Sequence, residues 1–340
     1  MTRQHARPDR NVRRCRALSY LFAVLAVLTA ITLVPYLSNS ADLVRMRNAL
    51  LLDKDSAAYA WPAAIPPAGF AVEQSTPNAL FRDVVQSNEL RVEGDDWATA
   101  LKIGRHLLAG STRSGGAIQS NLDDTYRRIV MRGEGYCGDF ADVFTGLANS
   151  AGVFSRPWAF SFDGFGGHGH IFNEIWDSGR ARWAMIDVFS NLYFADEQGQ
   201  ALSAIELHEL LKKGATPRLV PVAPEARPGF KYEDKAVEYY RQGLSEWYMW
   251  WGNNVFEYDQ SPLVRALGNT HRAFEQLGGI AAGVHPRIRI LDSEENVSRR
   301  EDLARLGVRL HALVVFIALA LAFALAAKAV SGLSRLRRRQ

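Results

Sequence analysis

Cysteine is scarce: the 340 residues carry two, Cys15 and Cys137. Cys15 lies in an Arg-rich tail ahead of a long apolar run, so the two thiols are expected on opposite sides of a membrane. A disulfide joining them is therefore excluded. There is no internal repeat and no long low-complexity segment, which excludes solenoid and array architectures. Net basic charge outside the two ends is lacking too. The net charge is +4, and eleven basic residues sit in two terminal tails: Arg3, Arg7, Arg10, Arg13, Arg14 and Arg16, then Lys328, Arg335, Arg337, Arg338 and Arg339. The rest of the sequence is near neutral to acidic, so no nucleic-acid partner is expected. No cofactor is expected either.

Long apolar runs are limited to two, and they organise everything else. Residues 17–37 run without a charge for about the 20 residues a helix needs to cross a bilayer, and Leu310 to Ala327 forms the second run. Both are flanked by the basic tails, which should stay in the cytoplasm, leaving the middle of the protein outside, in a bacterial cell the periplasm. The competing reading of the first run is a cleaved signal peptide with Ser38 or Ser40 at the cleavage site. The run exceeds the usual signal core of about 7–15 residues. The expected organisation is a basic tail (1–16), a span (17–37), a mostly helical region (38–118), a core (119–207), a helical extension (208–307), a second span (308–330) and a basic tail (331–340). The inner membrane is thus the first partner.

Within the exported part, a helix is expected from Asp42 to Asp55, followed by the Pro-rich linker Trp61 to Pro67. Trp97 to Leu108 and Asn121 to Met131 have helical spacing, with a turn-rich break over Ser111 to Gly116. From Cys137, the residues Phe140, Val143, Phe144 and Leu147 recur on one helical face. Strands are expected over Pro157 to Phe162, His170 to Trp176 and Ala181 to Phe189, the last two joined at Asp177-Ser178-Gly179-Arg180 as a hairpin. Ala204 to Lys213 is expected to be helical, Thr216 to Pro228 a Pro-rich crossing, and Tyr232 to Trp251 a long aromatic helix. Its Trp247-Tyr248-Met249-Trp250-Trp251 run allows sugar stacking, but helical spacing with Val237 and Tyr240 favours core packing. Ser293 to Leu306 leads into the second span.

Cys137 follows a glycine-rich approach, Gly133-Glu134-Gly135-Tyr136, at a helix start, where the macrodipole favours a thiolate over a thiol. The plain alternative is a small buried hydrophobe. The hairpin supplies partners. Closing it at Asp177 and Arg180, or at Trp176 and Ala181, gives the same register and sets His170 directly opposite Asp187, with Cβ atoms about 4.5–5.5 Å apart. His168 would then oppose Phe189. A thiol at a helix start with an opposed His and Asp is what nucleophilic cysteine chemistry needs: His170 takes the thiol proton and Asp187 holds the imidazole. Asp139 reads as a first-turn carboxylate, and Tyr136 and Trp183 as packing around the site. His168-Gly169-His170 with Cys137 also offers zinc-type donors, but no second cysteine or nearby acid completes a set.

Three blocks resemble the transglutaminase-like superfamily of papain-related cysteine enzymes: Gly135-Tyr136-Cys137-Gly138-Asp139-Phe140-Ala141, His170-Ile171-Phe172-Asn173-Glu174-Ile175-Trp176 and Trp183-Ala184-Met185-Ile186-Asp187. The resemblance runs from Asn121 to Leu207. It departs from the family at Val188, where a proline is common, and at Ile171, where a small residue is usual. It implies an α+β fold, a Cys-bearing helix on an antiparallel sheet bearing His and Asp. It also implies a catalytic triad of Cys137, His170 and Asp187 and acyl transfer on amide bonds of cell-envelope peptides or proteins, by hydrolysis or transamidation. The rival expectation is a non-catalytic scaffold or accessory factor serving a surface-polysaccharide assembly or export system.

Overall fold

The computed structural model describes residues 10–34, 39–55, 58–110, 116–118, 120–269 and 272–336. The terminal residues 1–9 and 337–340, the cleavage candidate Ser38 and the break at 111–115 lie outside the described residues. Strand-forming segments give β1 (Ser155–Ser161), β2 (Gly169–Asp177), β3 (Arg182–Ile186), β4 (Tyr193–Ala195), β5 (Arg218–Val220), β6 (Trp247–Trp251) and β7 (Arg287–Ile290). Five of them form one antiparallel sheet in the order β3-β2-β1-β6-β7, while β4 and β5 pair separately. With helices packed around it, the sheet makes the fold α+β, as expected.

The helix Cys137–Ser150 lies on one face of the sheet. Phe140, Val143, Phe144 and Leu147, the face anticipated from spacing, are buried in a cluster with Ile175, Ala184 and Ile186. Because side chains alternate along a strand, the neighbouring positions Phe172, Trp183 and Met185 point to the opposite face, where Trp158, Phe160, Trp247, Met249 and Trp251 join them. A third cluster seats the helix Ser40–Leu51, through Leu43 and Met46, against Tyr248, Trp250 and Ile288.

Two helices are long and apolar enough to cross a membrane, over Arg13–Ile31 (19 residues) and within Glu294–Val330 (37 residues), where 18-residue stretches reach mean hydropathies of 1.6 and 2.6. They pack on each other: Ser19 Oγ donates to the Ala324 carbonyl at 2.9 Å, and Phe22 stacks on Phe323 at 5.3 Å. Leu21, Val24, Leu28, Val315 and Leu319 are left exposed around the pair, an apolar surface suited to lipid. The first helix ends at Ile31 rather than Leu37. Thr32 turns its hydroxyl back to the Thr29 carbonyl at 2.6 Å.

Three other expectations are corrected. Tyr232 to Trp251 is not one helix: a helix covers Glu233–Gln242, and the tryptophan-rich run is strand β6 in the middle of the sheet. A strand covered on both faces has an apolar run without alternation, which spacing cannot tell from a buried helix. Region 208–307 is therefore more than a helical extension, since β6 and β7 complete the sheet. The hairpin register is also shifted by two residues: Asp177 pairs with Arg182 and Asn173 with Ile186. The four loop residues Ser178–Ala181 are accommodated by Ala181 at φ +51° and by Asp96, whose carboxylate accepts the Ser178 N–H at 3.0 Å.

Candidate functional site

The approach to Cys137 is set by backbone geometry. Gly135 has φ +108°, a conformation L side chains rarely adopt, and Tyr136 returns to extended geometry as the N-cap of the helix that Cys137 opens. The Asp139 carboxylate folds back to accept the N–H groups of Tyr136 at 2.7 Å and Ile118 at 3.1 Å. This fastens the helix start to the preceding segment. Burial holds the Asp139 carboxyl above its usual range despite those two bonds, which pull the other way. Cys137 itself is partly exposed.

Asn173 and Glu174 give the second block its structural work. Asn173 Nδ2 donates to Thr145 Oγ1 at 2.9 Å and the Ala141 carbonyl at 3.2 Å, tying β2 to the Cys137 helix. Glu174 is fully buried on the opposite face. It accepts from Arg156 Nε at 2.7 Å, Trp158 Nε1 at 2.8 Å and the Ala204 N–H at 2.7 Å. Each of its oxygens is thereby satisfied, which a buried charge requires. At the start of β2, a Cβ on Gly169 would lie 2.0 Å from the Phe160 carbonyl oxygen. Only glycine allows β1 and β2 to approach so closely beside His170.

His170 and Asp187 meet even though they are not opposed. The observed register carries His170 towards Phe189, and Asp187 lies just beyond β3, held in an isolated bridge to Leu192. A slip of two residues preserves the face to which each residue points, so the carboxylate still reaches the imidazole: His170 Nε2 lies 2.6 Å from Asp187 Oδ2. The same oxygen accepts the Tyr240 hydroxyl at 2.5 Å, and Asp187 Oδ1 accepts the Ser190 N–H at 3.0 Å. With Nε2 engaged, Nδ1 is the ring nitrogen left for Cys137, which lines the same cleft as His170.

Rings of Phe160, Tyr239, Tyr240 and Phe189 surround His170 at 5.7–6.2 Å between centroids. Burial by itself would lower the His170 pKa. The Asp187 charge and hydrogen bond, with Cys137 adding to them, raise it to about 10. Burial likewise works against the Asp187 carboxylate, but the His170 charge and the bonds from His170, Tyr240 and Ser190 hold it below its usual range.

Cys137 and His170 stand between two recesses. The outer cleft, about 460 Å³, is lined by Tyr136, Phe162, His168, Phe189 and Tyr239. The second is a chamber of about 590 Å³ that reaches between the Cys137 helix, the helix Ser40–Leu51 and the helix Arg272–Ala282. No family model, curated protein or solved structure matches this protein.

The structure thus brings Cys137, His170 and Asp187 together. His168 stays outward, 3.1 Å from Asp163, and no group of three or more potential metal ligands exists among the described residues. Tyr136 does line the cleft, but Trp183 lies four residues before Asp187, its ring 3.5 Å from the Arg156 guanidinium carbon rather than against the cleft. Trp247 and Trp251 are fully buried, so the tryptophan run is core and not a sugar platform. Spacing hid the role of Tyr240, which looked like one more apolar position of an aromatic helix. The Ser190 N–H, a backbone group, leaves no mark on the sequence at all.

Proposed function

We propose that this protein is a membrane-anchored thiol acyltransferase of the transglutaminase-like type, acting on amides of cell-envelope peptides or proteins outside the cytoplasmic membrane. One observation carries the reading: a buried imidazole engaged by Asp187 lines the same cleft as the partly exposed thiol of Cys137, which interacts with it electrostatically. In this reading His170 takes the proton of Cys137, sulfur attacks an amide carbonyl, and the C–N bond breaks as His170 returns the proton to the leaving amine. Water or a second amine then resolves the thioester. Asp187, with Tyr240 behind it, keeps the imidazole oriented and stabilises its charged form. Cys137 opens a helix, so its N–H has no partner within the helix and is the oxyanion donor we assign.

The basic tails at both ends support a topology with both termini in the cytoplasm. Comparison of envelope peptides from cells carrying Cys137→Ala with those from wild type tests the activity. A bond cut or joined only in the wild type is the expected result and would name the reaction. Identical peptide profiles would overturn it and favour a scaffold.

A further inference from the structure

The two recesses beside the thiol differ sharply in charge. The inner chamber is lined by Arg47, Asp139, Asp142, Arg272 and Glu275 among others. Among the described residues, no Asp, Glu, Lys or Arg lines the outer cleft, whose wall beyond the glycines, histidines and Cys137 is Tyr136, Phe162, Phe189 and Tyr239. The ring of His168 is turned away to Asp163 and is largely exposed. A charged group entering this cleft would lose water and gain no counter-charge from its lining.

The aromatic wall is also built into place. Phe162 stands at the base of the loop that leads to His170, and its N–H donates to the His168 carbonyl at 2.8 Å. Glu246, 3% exposed, pins that loop by accepting the N–H groups of Gly164 at 2.8 Å and Phe165 at 3.1 Å together with the Ser161 hydroxyl. The Phe162 ring meets Tyr239 edge-on at 5.3 Å, and the Tyr239 hydroxyl reaches the Gly169 carbonyl at 3.4 Å. Phe162 and Tyr136 nonetheless keep 39% and 51% of their surface exposed. Aromatic surface left uncovered at one place, on a wall that its own backbone holds, marks a site that something apolar covers.

We propose that the outer cleft is a specificity pocket that receives a large, uncharged, apolar side chain, aromatic by preference, from the peptide residue beside the reacting carbonyl. The proposal rests on the acyl-transfer reading and names its substrate class. Because Cys137 and His170 line the same cleft, whatever fills it is carried by the molecule whose carbonyl the sulfur attacks. The volume, about 460 Å³, lies near the low end of the roughly 300–1,000 Å³ of small-ligand pockets. It suits one side chain with its flanking backbone. Peptides with Asp, Glu or Lys at that residue are selected against.

Alkylation of Cys137 in the full-length protein in detergent, followed on its own peptide, tests this with iodoacetamide and its N-benzyl, N-octyl and N-carboxyethyl derivatives. In each the sulfur bonds to the methylene carbon as iodide leaves, so dividing by the rate with glutathione in the same detergent removes intrinsic reactivity. The normalised N-benzyl rate should exceed that of iodoacetamide at least about tenfold, as burial of an aromatic ring implies, and the N-carboxyethyl rate should not exceed it. Phe162→Asp should abolish the N-benzyl advantage, and Phe162→Leu should retain most of it. Equal normalised rates for the N-benzyl and N-carboxyethyl derivatives, or an N-benzyl advantage that survives Phe162→Asp, would overturn the proposal. An N-octyl advantage larger than the N-benzyl one and lost in Phe162→Asp would assign the cleft to a lipid chain and overturn it too. Failure here leaves the thiol chemistry standing, since that is read independently from iodoacetamide alone in wild type and His170→Ala.

Discussion

The hydroxyl of Tyr240 and the imidazole of His170 share one oxygen of Asp187, at 2.5 and 2.6 Å. The phenol fixes a carboxylate that would otherwise have only Ser190 and His170 to orient it. Tyr240→Phe keeps the ring among Phe160, Phe194 and Trp247 and removes only the donor. It should cost about 1.5–3 kcal/mol of stability, the worth of a hydrogen bond to a charged group. It should also slow labelling of Cys137. Urea unfolding and alkylation rates check the two effects together; unchanged labelling would reduce Tyr240 to a packing role.

The His170 and Asp187 pair sets a pH dependence with a definite sign. His170 is raised from an ordinary 6.5 to about 10, so its contribution to stability is full below pH 6.5 and is lost as pH rises through 10. Asp187 is held below its ordinary 3.8, so its contribution is present above that value and is lost as pH falls below it. The difference in melting temperature between wild type and His170→Gln should therefore be flat from about pH 5 to 6.5 and shrink towards pH 10. A difference that grows with pH would contradict the pairing.

Glu174 belongs to the same sequence block and the same face of β2 as His170, yet it lies four residues further along the strand and pairs with Arg156 instead of the site. Glu174→Gln leaves the Arg156 guanidinium, 1% exposed, without its counter-charge. Breaking such a pair typically costs about 3–5 kcal/mol. Chemical denaturation should register that loss, while the fraction that remains folded should label at Cys137 as wild type does.

Gly169→Ala puts a methyl group against backbone, because the new Cβ would sit 2.0 Å from the Phe160 carbonyl oxygen and 2.8 Å from Ser161 Cα. β1 and β2 must part at the very end that carries His170. A loss of about 1–3 kcal/mol or more is expected, as for overpacked sites. Slower labelling of Cys137 should accompany it. Full stability in a thermal melt would show that the strands are not held so closely.

The three blocks that carry the chemistry were legible because each residue type has a local reason to be where it is. Cys137 needs a helix start, and the glycines before it and the periodic Phe140, Val143 and Leu147 after it announce one. His170 and Asp187 were paired from hairpin counting that missed the register by two residues, since a loop entered through Asp177 and left through a left-handed Ala181 has no sharp signature. The contact survived because a shift of two keeps both residues on one face. Strand β6 was hidden because burial on both faces removes alternation. Arg47, Asp142 and Gln276 line one chamber only through tertiary packing of three helices distant in sequence, and no spacing rule reports that.

The most direct measurement of the central claim is the alkylation rate of Cys137, followed on its own peptide by mass spectrometry so that Cys15 does not contribute. In wild type at neutral pH it should exceed that of a simple thiol, and in His170→Ala and Asp187→Ala it should fall to the simple-thiol rate. A wild-type rate equal to a simple thiol, or one unmoved by loss of either partner, would contradict a proton relay through these three residues.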